Sequence, residues 1–147
     1  MPRDKSKALP ATAQWLGRAG LVPFLLGPVL IAIDPLQRSL YVEALSVYAL
    51  CILCFLAGSW WGLSLIRRYA AMLIASNVLV VAGFLGWVGL GAQRSLPLLA
   101  CLLVALLLVE RRHPLFLLQP RYYRRLRCNL TTVAAVSLLL SWTLTSG

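Results

Sequence analysis

The cysteines are the most reactive side chains in this sequence, and two of the four form a Cys-x-x-Cys pair, Cys51 and Cys54. In a small helical membrane protein such a pair is typical of thiol oxidases that pass disulfide electrons to quinone. That chemistry needs the pair at the outer rim of a helix and a second pair on an outer loop. Cys51 instead lies about 13 Å along its predicted membrane span, and neither predicted outer loop contains cysteine. A thiol in apolar surroundings behaves as a small hydrophobic group, so we expect free, non-catalytic thiols, Cys101 and Cys128 included.

A copper site is the second chemistry that the thiols suggest. Cys51 and Cys54 share one helix face, Cys101 comes from another span at similar depth, and soft ligands of this kind suit Cu(I). The chain has only two methionines, however, and its one histidine, His113, is predicted to lie at the inner membrane boundary. We therefore predict neither a metal nor a cofactor.

Acidic residues inside a membrane are candidates for function, but here they fall at the margins of the predicted spans. Asp34 and Glu43 belong to the first outer loop and its edge, and Glu110 ends the fourth span, where we expect it to pair with Arg111. The sequence has no Ser, His and Asp set, no phosphate loop and no paired carboxylates, so we predict that it is not an enzyme. Asn129 begins a glycosylation-like Asn-Leu-Thr triplet, which we interpret as a helix N-cap.

Long apolar runs must position these residues. The 147 residues are 61% hydrophobic with a mean hydropathy of +0.83, more than a soluble domain of this size can bury. The runs predict an all-α membrane helix bundle in one domain (residues 1–147), with five transmembrane helices at residues 17–33, 42–66, 70–92, 95–109 and 129–146. Pro23 and Pro28 should kink the first span, with either a neighbouring group or an adjusted local geometry satisfying the carbonyl that proline leaves free.

The basic residues predict the orientation. With the N-terminus inside and the C-terminus outside, 12 of the 14 Lys and Arg residues fall on the cytoplasmic side of a cell inner membrane. Because the net charge of +10 is divided among short segments beside membrane ends, we expect anionic lipid headgroups, not nucleic acid, as the partner. The densest cluster follows the apolar residues 114–118, and together they predict either a topology anchor or a segment that lies in the headgroup layer and faces lipid with its basic residues: Arg121, Arg124, Arg125 and Arg127.

Small residues predict how the helices pack. Gly58 and Gly62 form a Gly-x-x-x-Gly stripe in the second span, and we expect the third span to pack on it as an antiparallel hairpin, with Trp61 also at this interface. Asn77 of the third span lies at the depth of Ser59. We expect its amide to hydrogen-bond Ser59, Ser64 or a backbone carbonyl exposed by the glycines, because an unpaired amide in hydrocarbon is unfavourable.

Two stretches carry a family resemblance: residues 48–62 (YALCILCFLAGSWWG) and residues 122–131 (YYRRLRCNLT). They resemble the most recognisable segments of the family of small bacterial and mitochondrial membrane proteins that includes transmembrane protein 69, classed as a domain of unknown function. The resemblance implies a five-span membrane fold over nearly the whole chain. It implies no activity.

The first functional hypothesis is a non-enzymatic interaction or assembly partner of membrane complexes, with another membrane protein or a second copy as its partner. The alternative is a small transporter or a carrier that binds lipid, quinone or metal. A polar cavity open to one side would favour the transporter. A solid bundle with a small-residue stripe facing lipid would favour the interaction protein.

Overall fold

A computed structural model describes residues 5–113 and 121–146, with the side chains of residues 11–113 and 122–146. The chain begins with two helices, α1 (Lys5–Ala19) and α2 (Val22–Ile33), joined at Gly20 and Leu21. Pro23 explains this break, because proline has no N–H to donate to the carbonyl four residues earlier and its ring collides with it. The first predicted span is therefore two helices that meet three residues before Pro23, rather than one helix kinked at its prolines.

Helices α3 (Arg38–Arg67) and α4 (Ala70–Arg112) follow, after a 3₁₀ turn at Pro35–Gln37. The chain leaves α3 through Arg68, which has a left-handed backbone with φ of 58°. The indole Nε1 of Trp87 in α4 then donates to the hydroxyl of Ser46 in α3, at 3.0 Å. The short turn and this hydrogen bond between α3 and α4 confirm that the second and third predicted spans pack against each other as a hairpin.

Helix α4 is not straight. Its 43 residues would extend about 64 Å as one rod, roughly twice the hydrocarbon thickness of a bilayer. The chain breaks at Gly91, whose φ of 77° and ψ of 170° are accessible almost only to glycine. A Cβ atom on Gly86 would collide with Cδ2 of Leu98, so residues 70–90 and 92–112 fold back against each other.

The last helix, α5 (Arg121–Ser146), begins eight residues before the predicted start of the fifth span at residue 129. Asn129 therefore lies in the third turn of a helix, and the expected N-cap is wrong. Arg124 and Arg125 belong to the first turns of this same helix, which does not begin with a separate segment in the headgroup layer. The apolar part of that predicted segment, residues 114–118, lies outside the described residues.

The described residues form helices and short turns, which confirms the all-α prediction. Four helical stretches are long and apolar enough to cross a membrane: Ala11–Ile33, Pro35–Arg67, Ala70–Arg112 and Tyr122–Ser146. The shared core is drawn from α2, α3, the second half of α4 and α5, and includes Ile31, Leu53, Trp60, Leu103 and Leu138.

The predicted glycine interface is wrong, although the two helices are neighbours. Beyond the local backbone of α3, no heavy atom of the described residues lies within 4 Å of the Cβ position of Gly58 or Gly62, and both glycines are exposed, so that stripe faces outward. Gly83 of α4 instead makes the close approach, since a Cβ there would lie 2.8 Å from Cδ2 of Leu53. Leu53 of α3 thus packs against Gly83 of α4, and Gly58 and Gly62 take no part in this contact.

The polar pair predicted at this interface is also wrong. Asn77 is exposed and donates to the carbonyl of Leu73 in its own helix, at 2.8 Å. Ser59 likewise donates to the carbonyl of Leu56, at 2.6 Å. Each side chain satisfies its polar group within one helix, which removes the need for an interhelical partner. Trp61 is 46% exposed, and the buried indole is that of Trp60.

Candidate functional site

A buried ion pair joins the last turn of α4 to the start of α5. Glu110 is 7% exposed and Arg127 is 6% exposed. Nε of Arg127 donates to Oε2 of Glu110 at 3.1 Å, and Nη2 of Arg127 donates to Oε1. Two parallel bonds of this kind are the strongest arrangement between guanidinium and carboxylate. The cation also offsets an unfavourable position, because a carboxylate near a helix C-terminus meets the negative end of the helix dipole.

Trp60 of α3 completes the cluster. Its indole Nε1 donates to Oε1 of Glu110 at 2.8 Å, and its side chain is fully buried. The carboxylate therefore accepts three hydrogen bonds from two other helices. A buried charge is stable only when it is paired and its remaining lone pairs are satisfied, and this cluster meets both conditions. Trp60, Glu110 and Arg127 are called the charged triad below.

Two sequence predictions fail at the triad. Glu110 does not pair with Arg111, because adjacent residues of a helix point in different directions and Arg111 is exposed. Arg127 was predicted to face lipid together with Arg124 and Arg125, but it is buried. Helical spacing could have revealed it: Arg127 lies in phase with the buried positions of α5 that follow it, Thr131, Ala134, Leu138 and Ser141. The predicted fifth span began at residue 129 and so excluded Arg127, and the shared helical phase was therefore not recognised.

A polar cleft of about 670 Å³ opens beside the triad, between the end of α4 and the first turns of α5. Four arginines and one carboxylate are among its lining residues, which are Leu107, Glu110, Arg111, Arg124, Arg125, Arg127, Cys128 and Asn129. Arg127 is neutralised by Glu110, whereas Arg111, Arg124 and Arg125 are exposed. The cleft is therefore positively charged and suited to an anion. The side chain of Arg121 lies outside the described part of the chain.

A second cavity, of about 500 Å³, lies on the other side of Arg127 and is almost entirely apolar. Helix α1 forms one wall, and α2, α3, α4 and α5 form the rest. Its lining includes Leu16, Gly17, Phe24, Ile52, Phe55, Leu56, Leu103, Tyr123, Leu126, Arg127, Leu130 and Ala134. Arg127 is shared by both cavities. The sequence analysis predicted neither cavity.

The cysteines lie away from the buried core. Cys51, Cys54 and Cys101 are exposed on the outer surface of the bundle, Cys128 is half-buried, and all four are free thiols. Within residues 5–113 and 121–146, no three side chains of His, Cys, Asp and Glu are grouped so that they could hold a metal ion.

The fold and the triad define a multi-pass helical membrane protein with one charged pair enclosed between its helices. The chain matches the family described as "Protein of unknown function (DUF3429)" over residues 9–143, and it belongs to that family. It is 31% identical over 137 residues to Transmembrane protein 69 of Xenopus tropicalis, an alignment that covers 90% of this chain and 54% of that protein. The chain thus spans about half the length of this curated relative. The family resemblance predicted from the sequence is confirmed. No solved structure matches the chain.

Proposed function

We propose that this chain is a non-enzymatic protein of the cell inner membrane whose cytoplasmic end binds the headgroup of an anionic phospholipid. The observation that carries the proposal is the polar cleft, where exposed guanidinium groups surround an arginine that is already neutralised. A polar cavity open to one side is the feature that favours a transporter or carrier over an interaction protein.

The charges of the cleft support a phosphate ligand. Glu110 is engaged with Arg127 and Trp60, so it does not neutralise Arg124 or Arg125. Guanidinium groups bind phosphate oxygens in pairs, and arginines beside a membrane end attract anionic lipid at about 1 kcal/mol each. Because these arginines lie in the first turns of α5, at one end of a proposed span, the phosphates they meet are those of lipid rather than of nucleic acid.

The proposed topology has five crossings, with the N-terminus in the cytoplasm and the C-terminus outside. The fold-back at Gly91 supports it, because each half of α4 is about 31 Å long and matches one hydrocarbon core. A reporter fused after Gly147 should be active in the outer compartment, and one inserted between Arg112 and Arg121 should be active in the cytoplasm. The opposite pattern would reverse the assignment.

Lipid selectivity tests the binding function. Purified protein in neutral detergent would be offered phosphatidylglycerol or phosphatidylcholine with matched chains, and bound lipid counted by native mass spectrometry. We expect the wild type to prefer phosphatidylglycerol, and Arg124→Gln/Arg125→Gln to lose that preference. Arg67→Gln/Arg68→Gln removes the same charge outside the cleft, so it should retain the preference. Equal losses in both variants would mean that the arginines act only as a topology anchor.

The interaction or assembly function, which was the first hypothesis from the sequence, is the second candidate, and the observation that favours it is the outward-facing stripe of Gly58 and Gly62. Affinity purification from native membranes tests it. A stoichiometric membrane-protein partner, or a second copy of the chain, would favour this function over lipid binding if it stays bound after detergent has replaced the anionic lipid.

A further inference from the structure

We infer that the apolar cavity holds one acyl chain of the same anionic phospholipid, so that the two cavities form a single site for a whole lipid molecule. The inference rests on the proposed headgroup function and adds the hydrocarbon part of the ligand. Its basis is the position of Arg127, whose side chain lines the polar cleft on one side and the apolar cavity on the other.

The dimensions of the cavity fit one chain. Along α5 it runs from Tyr123 to Ala134, which are eleven positions apart and therefore about 16 Å along the helix axis. One leaflet contributes about 15 Å to a hydrocarbon core of roughly 30 Å. A volume of about 500 Å³ also falls within the usual range for small-molecule sites. The cavity is thus as deep as the leaflet from which its lipid would come.

The chemistry of the lining changes along the same direction. Near the triad it includes Tyr123 and Arg127 beside Leu126, and deeper in the bundle it is apolar except for Thr131, with side chains such as Leu103, Phe24 and Ala134. A lipid has the same order of groups, with polar ester and phosphate above a hydrocarbon chain. Pairing with Glu110 neutralises Arg127 at the boundary, so a chain can pass it without meeting an uncompensated charge.

Helix α1 is held over the cavity by two contacts. A Cβ on Gly17 would lie 3.0 Å from Cδ1 of Leu130, so α1 approaches α5 closely at this glycine. The hydroxyl of Tyr48 donates to the carbonyl of Gly20 at 2.9 Å, which fixes the end of α1 against α3. The wall is therefore part of the fold, and the half-open space beneath it is lined by residues of five helices.

The test fills the cavity without touching the cleft. Leu130→Trp places a larger side chain inside it, and Val136→Trp places the same group on the exposed face of α5 as the control. Ala13→Trp fills the cavity from α1 and serves if Leu130→Trp does not give a monodisperse, thermally stable protein. The probes are phosphatidylglycerol, its water-soluble headgroup glycerophosphoglycerol, and phosphatidylcholine with the same chains.

We expect Leu130→Trp to weaken phosphatidylglycerol binding on the order of tenfold, the effect of removing several methylene contacts, and to leave glycerophosphoglycerol binding unchanged. Val136→Trp should behave as the wild type. Arg124→Gln/Arg125→Gln should weaken both anionic probes.

The remaining outcomes separate the two proposals. If filling the cavity leaves phosphatidylglycerol binding intact while the arginine variant weakens it, the acyl-chain inference is wrong and the headgroup function stands. If the arginine variant changes nothing while Leu130→Trp weakens both phospholipids equally, the headgroup function is wrong, and with it the inference of an anionic ligand.

Discussion

The hydroxyl of Ser137 in α5 donates a buried hydrogen bond to the carbonyl oxygen of Phe24 in α2. That carbonyl would normally accept from the backbone N–H four residues later, but residue 28 is proline and has none. In a membrane no water is present to replace the missing donor, so a neighbouring helix must supply one. The sequence analysis left open whether a neighbour or an adjusted local geometry would satisfy the carbonyl, and the structure shows a neighbouring helix as the donor.

Ser137→Ala should lower the free energy of unfolding by about 1–2 kcal/mol, because it leaves the Phe24 carbonyl unpaired in apolar surroundings. Unfolding in mixed detergent micelles measures the effect. In a Pro28→Ala background the new backbone N–H can bond this carbonyl, so the same serine substitution should then have a smaller effect. Equal effects in both backgrounds would contradict the coupling between Ser137 and Pro28.

Arg127→Met should destabilise the protein by about 3–5 kcal/mol, because it leaves the Glu110 carboxylate buried without a cation. Arg111→Met is the matched control and should change the stability by no more than about 0.5 kcal/mol, since Arg111 is exposed. Adding Glu110→Gln to Arg127→Met should recover part of the loss. A larger effect at Arg111 than at Arg127 would instead support the pairing that the sequence suggested.

Trp60→Phe tests the third member of the triad. It keeps an aromatic ring in the core and removes the Nε1–H that Glu110 accepts. The expected loss is about 1.5–3 kcal/mol, the range for a hydrogen bond to a charged group. Trp61→Phe removes the same donor from a 46% exposed neighbour and should be nearly neutral. Similar losses at both positions would argue against a specific role for the Trp60 indole.

Gly91→Ala should destabilise the fold-back of α4 by about 1–3 kcal/mol, because alanine is strained at the φ of 77° and ψ of 170° found there. Gly89→Ala is the control, since it lies in helical backbone with open space around its Cβ position. It should be neutral or stabilise by up to about 1 kcal/mol. If the two substitutions have the same effect, the turn does not depend on the conformation of Gly91.

Gly86→Leu should damage folding more than Gly58→Leu. The first adds a side chain where a Cβ alone would collide with Cδ2 of Leu98, and the second adds it where no described side chain lies within 4 Å. Overpacking of this kind is destabilising by about 1–3 kcal/mol. The yield of folded protein extracted from membranes compares the two variants. A larger loss for Gly58→Leu would mean that another helix covers the Gly58 and Gly62 stripe in the membrane.

Several features followed from the sequence alone because they depend on one segment at a time. A run of apolar residues predicts a helix in a membrane, since a helix satisfies its backbone hydrogen bonds within the segment. The hairpin of α3 and α4 followed from the short connection at Arg67 to Tyr69. The need for a donor near Pro28 followed from the chemistry of proline.

The rotation of each helix about its axis was decided only by the tertiary structure. Lipid tails and a protein core are equally apolar, so hydropathy does not distinguish the face that meets lipid from the face that meets another helix. For that reason the sequence analysis placed Trp61 among the packing residues, whereas the structure buries Trp60, and it placed Arg127 among the lipid-facing arginines. The partner of Glu110 depends on the rotations of α3, α4 and α5 together, because only their combined packing brings Trp60 and Arg127 to the same carboxylate.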